Sequence, residues 1–320
     1  MKNRLFVFLL ISSALSCISW GFFGHQKINR IAVFTLPGSM IRFYKNNIDF
    51  IAEHAVNADK RRYSDTSEAA RHFIDADRYG RNPFDSIPEK WKDAELKFGS
   101  RILQENGIVP WQIERTYYSL VKAFQQKDSI RILKLSADLG HYVSDAHVPL
   151  HTTENYNGQL SGQTGIHGFW ESRLPELFFS EYDLLTGPAR YIEDPLKTAW
   201  KILKTAHSCT DSVLKIESRI NRTIPSDRKF SFSERNGLVT RQYSEEYAYA
   251  YHQALKGMVE RQLRSSILMT GSYWYSAWID SGQPDLKDFE AKLSNDSERL
   301  EQERITELFK KGKILGRTEN

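Results

Sequence analysis

Metal-competent side chains crowd one part of this sequence: His141-Tyr-Val-Ser-Asp145-Ala-His-Val-Pro-Leu-His151, then His167-Gly-Phe-Trp-Glu171. His141 and Asp145 are four residues apart, so on a helix they point to one side, one turn apart. Pro149 ends such a helix, and His151 follows on a turn from which it can reach a neighbouring position. His167 and Glu171 repeat the spacing on a second expected helix. A single pair of this kind is usually a surface coincidence. Two of them flanking a Gly-rich loop favour a metal site. A third segment, Asp59-Lys-Arg-Arg62 followed by Arg71-His72-Phe73-Ile74-Asp75, adds another imidazole and another carboxylate. Nitrogen and oxygen donors without cysteine suit Zn²⁺ in a hydrolytic role rather than a closed structural site.

The amino end offers a further ligand source. Met1–Ser19 reads as a secretory signal, with Lys2 and Arg4, the apolar run Leu5–Leu15, and small residues ending at Ser19. Cleavage after Ser19 would free the α-amine of Trp20; that amine, the Trp20 carbonyl and His25 could together chelate a metal. The chain is therefore expected to be exported, to a periplasm or the exterior. Lipid attachment at Cys17 is the weaker alternative, because Ala14-Leu15-Ser16 puts Leu in the wrong place for a lipoprotein signal. Without the leader only Cys209 remains, so no internal disulfide forms, and stability must come from the core and from bound metal. After residue 20 no uninterrupted apolar run reaches the length of a membrane span.

The elements that must position these residues read as helices. Apolar residues recur at three- and four-residue spacing through Ile28–Phe34, Met40–Ile51, Ser67–Asp75, Trp91–Phe98, Ile113–Gln125 and Ile130–Val148. Asp194–Thr205, Ser212–Arg222 and a long aromatic-rich stretch, Ser244–Trp278, continue the series. Turn signals such as Pro37-Gly38, Gly107–Pro110, Asn157–Gly165 and Gly187-Pro188 fall between them. The expected fold class is all-α: a signal over 1–19, one multi-helix domain over 20–285, and a charged helix and tail over 286–320 read as solvated. At 320 residues, 40% hydrophobic and 12% aromatic, the chain can bury a substantial core. The formal charge of +4 loses Lys2 and Arg4 with the leader, leaving about +2. That surplus is too weak for a nucleic-acid scaffold protein and leaves room for a local basic patch. No Gly-x-Ser-x-Gly elbow appears, which argues against a serine nucleophile.

In this order, the residues resemble the zinc-dependent phospholipase C and S1/P1 nuclease superfamily, an all-helical fold carrying three Zn²⁺. His141-x₃-Asp145-x₃-Pro149-x-His151, followed by Asn155, is similar to the phospholipase C signature. Trp20-Gly-x-x-Gly-His25, His72-Phe-Ile-Asp75, Asp145-x-His147-x-Pro-Leu-His151 and His167-x-x-Trp-Glu171 are similar to the nuclease branch. The resemblance implies one zinc on the amine and carbonyl of Trp20, His25 and Asp145. A second falls on Asp59, His72, His141 and the bridging Asp145, and a third on His151, His167 and Glu171. It also implies that Asp59 and Asp145 carry catalysis by water activated between paired ions, with Arg62 contacting phosphate. Phe73, Asp75 and Asn155 fall among the implied substrate contacts. Base stacking on Phe73 would be worth about 1–3 kcal/mol. The plainer alternatives are a solvated basic run for Lys60–Arg62, a core role for Phe73, and Asp75 or His147 supporting a ligand. His54, His207 and His252 read as structural.

The implied substrate is a phosphodiester. Single-stranded nucleic acid or nucleotide 3′-phosphate esters compete with phospholipid head groups. The Trp20–His25 segment and His72-Phe73 favour the nuclease branch; Glu171, where that branch usually has aspartate, and the short interval from His151 to His167 favour the phospholipase. A non-catalytic zinc-binding protein is the third reading. The chain is expected to be a monomer without a transmembrane anchor.

Overall fold

The computed structural model describes residues 21–235, 238–287, 289, 296–312 and 314–315. The leader expected at 1–19, and Trp20 with its amine, lie outside the described residues. The amino-terminal run is α1 (Gly21–Ala32), α2 (Gly38–Asn46), α3 (Ile48–His54) and α4 (Asn57–Arg61). Short helices α5 (Pro83–Ser86), α6 (Trp91–Phe98) and α7 (Ser100–Asn106) lead into α8 (Val109–Gln125) and α9 (Ser129–Ala146). Next, α10 (Ile166–Gly168) continues through a π-helical turn, Phe169–Arg173, into α11 (Leu174–Phe178). The long α12 (Pro195–Thr223), a hairpin of β1 (Phe230–Arg235) and β2 (Leu238–Tyr243), α13 (Glu245–Ala254), α14 (Met258–Asp280) and α15 (Asp296–Lys310) complete the order. The fold class is all-α, as the periodicity implies.

Helix α9 is the axis that positions the site. Asp128 caps its start by accepting from the Arg131 amide at 3.0 Å. From Ser136 to Ala146 nearly every residue is buried, because α1, α3, α8 and α14 all pack on it. Close approach on so many sides needs small residues. A side chain at Gly140 would put its Cβ 2.0 Å from Oδ1 of Asn29 on α1, and the Asn29 amide instead donates to the Ala137 carbonyl at 3.1 Å. Trp274 of α14 stacks on Tyr44 at 5.2 Å and donates its indole N–H to the Ser136 carbonyl at 2.9 Å. Burying an aromatic of this size contributes about 1.5–3 kcal/mol. A second apolar cluster joins α10, the π turn, α11, α13 and α14, with Phe169 stacked on Tyr243 at 3.8 Å and on Tyr251 at 5.0 Å. The candidate ligands come from both sides: α9 belongs to the first cluster and the π turn to the second.

Several element boundaries differ from the periodic reading. Asn47 (φ −116°) breaks Met40–Ile51 into α2 and α3. The two helices read over Asp194–Thr205 and Ser212–Arg222 are one 29-residue helix, because Ala206, Thr210 and Val213 carry the buried stripe across the join. The stretch Ser244–Trp278 splits where Lys256 (φ 50°) and Gly257 (φ 74°) turn left-handed. Ser67–Asp75 holds only a 3₁₀ turn, Ala69–His72, after which Phe73 is extended. The hairpin, with Phe230 paired to Tyr243, was masked by the helical spacing around it. Finally, α15 is not simply solvated: Ile305 is buried and the helix packs on α4.

Candidate metal centre

On α9, His141 and Asp145 project together as their spacing requires, with His141 Nε2 at 3.2 Å from Asp145 Oδ2. The 3₁₀ turn brings His72 to the same place, its Nδ1 at 3.0 Å from both Asp145 Oδ2 and His141 Nε2. Asp59, at the middle of α4, stands 3.7 Å from His72 Nδ1 and 3.8 Å from His141 Nε2. From α1, His25 stacks on His141 at 4.0 Å and points Nε2 at Asp145 Oδ1, 3.4 Å away. His151, His167 and Glu171 form a neighbouring trio. The two Nε2 atoms are 3.2 Å apart, with Glu171 Oε2 at 3.4 Å from His151 and 2.8 Å from His167. His25 and Glu171 link the sets, at 3.5 Å. Three groups result, the first two sharing His141: His25, His141 and Asp145; Asp59, His72 and His141; His151, His167 and Glu171.

The outer hydrogen bonds decide which ring nitrogens face inward bare. His141 Nδ1–H donates to the Ala55 carbonyl at 2.7 Å, His151 Nδ1–H to the His72 carbonyl at 2.7 Å, and His167 Nδ1–H to the Tyr156 carbonyl at 3.2 Å. A carbonyl only accepts, so each of these rings keeps a lone pair on Nε2. The Ser144 hydroxyl gives its proton to backbone carbonyls and accepts from His25 Nδ1 at 2.7 Å, which leaves His25 Nε2 in the same state. Apart from His72, whose Nδ1 can give a proton to Asp145 Oδ2, lone pairs and carboxylate oxygens thus face one another at about hydrogen-bond distance. Asp145 Oδ1 makes the point most sharply: it is buried and has no hydrogen-bond partner among the described residues. A buried anion in that state calls for a cation.

The protonation equilibria carry the same demand. Burial alone would raise the pKa of Glu171 and Asp145. Against it, the charge of His151 and the bonds from His151, His167 and His25 hold Glu171 well below the carboxylate range, and His141 and His151 do the same for Asp145. Burial alone would depress His72, but its bonds to Asp145 and Glu68 outweigh that and push it up to about 9. Without a metal, a proton on His72 supplies part of the missing positive charge.

The other residues singled out in the sequence, Trp20 aside, have definite places. Arg62 is buried beside Asp59, its Nη1 3.8 Å from Oδ1, so the solvated-run alternative fails for it. Arg61 turns away to Glu68 and Asp138. Phe73 is 7% exposed, and Gly107 lies so close that a Cβ there would meet the ring at 2.6 Å. Asp75 is buried, its amide donating to the Asn106 carbonyl at 2.7 Å. Asn155 is tied at both ends within its own loop: Nδ2 donates to Ser161 Oγ at 3.0 Å and Oδ1 accepts from the Leu160 amide at 2.8 Å. His147 faces α14, where its Nε2 meets Ser265 Oγ at 3.0 Å, and burial holds its pKa down to about 4.

Two contributors escaped the sequence reading. Glu68, one turn before His72, stands 3.6 Å from His72 Nε2 and also holds Arg61, Arg71 and the Tyr142 hydroxyl. Its spacing to His72 was a usable signal. Asn157 accepts from the amides of Gly165 (2.9 Å) and His167 (3.4 Å), fixing the turn that opens α10. Nothing local in the sequence marks that role.

An all-helical domain that gathers imidazoles and carboxylates into three neighbouring donor groups forms a scaffold able to hold metal ions. The S1/P1 nuclease family model matches residues 20–279, and the chain belongs to that family, which is metal-dependent and cleaves phosphodiesters. Among curated proteins none matches the chain closely enough to count as a relative. No helix of the described residues is long and apolar enough to cross a membrane.

Proposed function

We propose that the chain is an exported, zinc-dependent phosphodiesterase that acts on single-stranded nucleic acid or nucleotide phosphate esters. The observation that carries this reading is the inward ring of lone pairs and carboxylate oxygens, above all the unpartnered, buried Asp145 Oδ1. Asp145, with one oxygen toward His25 and the other toward His72 and His141, is the side chain able to serve two ions. Asp59, His72 and His141 would complete one of these sites, and His25 with the amine and carbonyl of Trp20 the other. His151, His167 and Glu171 would hold a third ion. Zinc bound in such a set supplies Lewis acidity and a water acidified toward neutrality.

The remaining work falls to the chain itself. Arg62, oriented by Asp59, would pair with the phosphoryl oxygens. The carbonyls of Ala55, His72 and Tyr156 keep the imidazoles in the ligating tautomer through the reaction. The start of the family match at residue 20 supports a mature chain that begins at Trp20. Glu171 and the short interval before His167 favour the second reading, in which the ester is a phospholipid head group.

The test is to offer the purified mature protein single-stranded DNA, RNA and phosphatidylcholine vesicles, each with and without chelator. Chelator-sensitive cleavage of nucleic acid is expected. Cleavage of vesicles alone would transfer the assignment to phospholipids, and cleavage unaffected by chelator would remove the metal from the mechanism. Mass determination of the exported amino terminus checks the cut before Trp20.

A further inference from the structure

The family match ends at residue 279, and α15 lies beyond it. This added helix nevertheless touches the segments that carry the least supported ligands. The ring of Phe309 lies 5.5 Å from Phe22 and 5.1 Å, edge-on, from Tyr63. Gln302 and Asn57 exchange two amide hydrogen bonds, at 2.9 and 3.1 Å. Ile305 is buried at the same face, and the Leu315 amide donates to the Arg62 carbonyl at 2.8 Å. In sequence, Phe22 falls between Trp20 and His25, Asn57 two residues before Asp59, and Tyr63 directly after Arg62.

The candidate ligands differ in how well their own element holds them. His141 and Asp145 ride on an 18-residue helix buried from several sides. Asp59 rides on α4, five residues long. One helical turn does not hold its geometry unaided, since nucleation costs more than so few hydrogen bonds return. The amino end of α1 is likewise a chain end once the leader is cut, and chain ends fray unless tied down.

We propose that α15 is a clamp, with Phe309 its positioning residue, that fixes the amino end of α1 and helix α4 against each other and so sets His25, Asp59 and Arg62 in register with α9. Its effect on metal binding rests on the function proposed above; its effect on the two segments does not.

The experiment compares wild type, Phe309→Ala, Phe309→Tyr and Gln302→Ala in the full mature chain. In metal-stripped protein, amide hydrogen exchange in Phe309→Ala should quicken about tenfold over residues 22–25 and 57–63, the order that two lost ring pairs imply. Residues 141–145 and 166–171 should keep wild-type rates. Gln302→Ala should quicken 57–63 alone and by less, which keeps the test open should Phe309→Ala fold poorly. On titration with zinc, Phe309→Ala should bind part of its complement about tenfold more weakly and the rest unchanged, with Phe309→Tyr restoring both readouts. Unchanged exchange in both segments, or an equal rise along the whole chain, overturns the clamp. A local exchange difference in a wild type that binds no zinc would overturn the proposed function and leave the clamp standing.

Discussion

His141 and Asp145 are fully buried on α9, with α1, α3, α4, α8, α12 and α14 packed on that helix. His167 and Glu171 have the same four-residue spacing but ride on a short helix and a π turn, where the Glu171 side chain is 13% exposed. The first pair is held by a scaffold that exists for the sake of the core. The second is held by a loop: Gly165 at φ 98° turns the chain, and Asn157 accepts the amides that follow. The lesson is that one sequence pattern can build a donor pair sunk in a long core helix and one carried by a short, slightly exposed turn. Packing decides which.

Asp145→Asn should break the comparison most severely. Among the described residues it removes the one carboxylate that faces the ring nitrogens of His25, His72, His141 and His151 together. It also replaces a charged oxygen with an amide N–H, which cannot ligate a cation. Turnover should vanish, and stability should fall by about 3–5 kcal/mol, the usual cost of removing one member of a buried charge set. Elemental analysis and thermal unfolding check both. Full zinc content with full turnover would mean that Asp145 bridges nothing.

Glu171→Gln should be milder in a telling way. Activity and the affinity for part of the zinc complement should drop, and thermal unfolding in chelator should lose the contribution of Glu171's pairing with His151, His167 and His25 but less than Asp145→Asn loses. A stability loss as large as that of Asp145→Asn would erase the distinction between the two pairs.

Glu68→Gln reaches the α9 side from behind. Loss of such an outer partner typically costs about 10–100-fold in metal affinity or activity. Zinc titration should find the loss, and the His151, His167 and Glu171 set should be spared.

pH offers a subtler probe. In metal-stripped protein, His72 stabilises the fold fully below its ordinary value of 6.5, and the contribution fades as pH climbs through about 9. The carboxylates act oppositely: Asp145 and Glu171 contribute above their ordinary values of 3.8 and 4.5 and lose that contribution as acid protonates them in the fold. Unfolding midpoints should therefore decline between about pH 6.5 and 9 in chelator. Saturating zinc should flatten that decline, because the metal takes the place of the proton. A decline that persists in zinc would show that His72 is not a ligand.

Asn155→Ala should do least. Two loop hydrogen bonds are lost at about 1 kcal/mol or less each, with zinc content unchanged. A large loss of activity at unchanged stability would return Asn155 to the substrate.

The residue types and local spacings were legible in the sequence because helical geometry alone brings positions four apart onto one side. That principle places His141 with Asp145 and His167 with Glu171, and the apolar periodicity announces an all-helical fold. Local rules do not reach across the chain. The meeting of His25, Asp59 and His72 with α9 depends on Gly140 letting α1 approach, on a 3₁₀ turn where a helix was expected, and on α4 lying under α15. The tautomers depend on the carbonyls of Ala55, His72 and Tyr156. Every residue carries a carbonyl, so no sequence marks the ones that will accept an imidazole proton. Donor chemistry was written in the side chains; its direction and protonation state were set only when packing brought distant backbone to the rings.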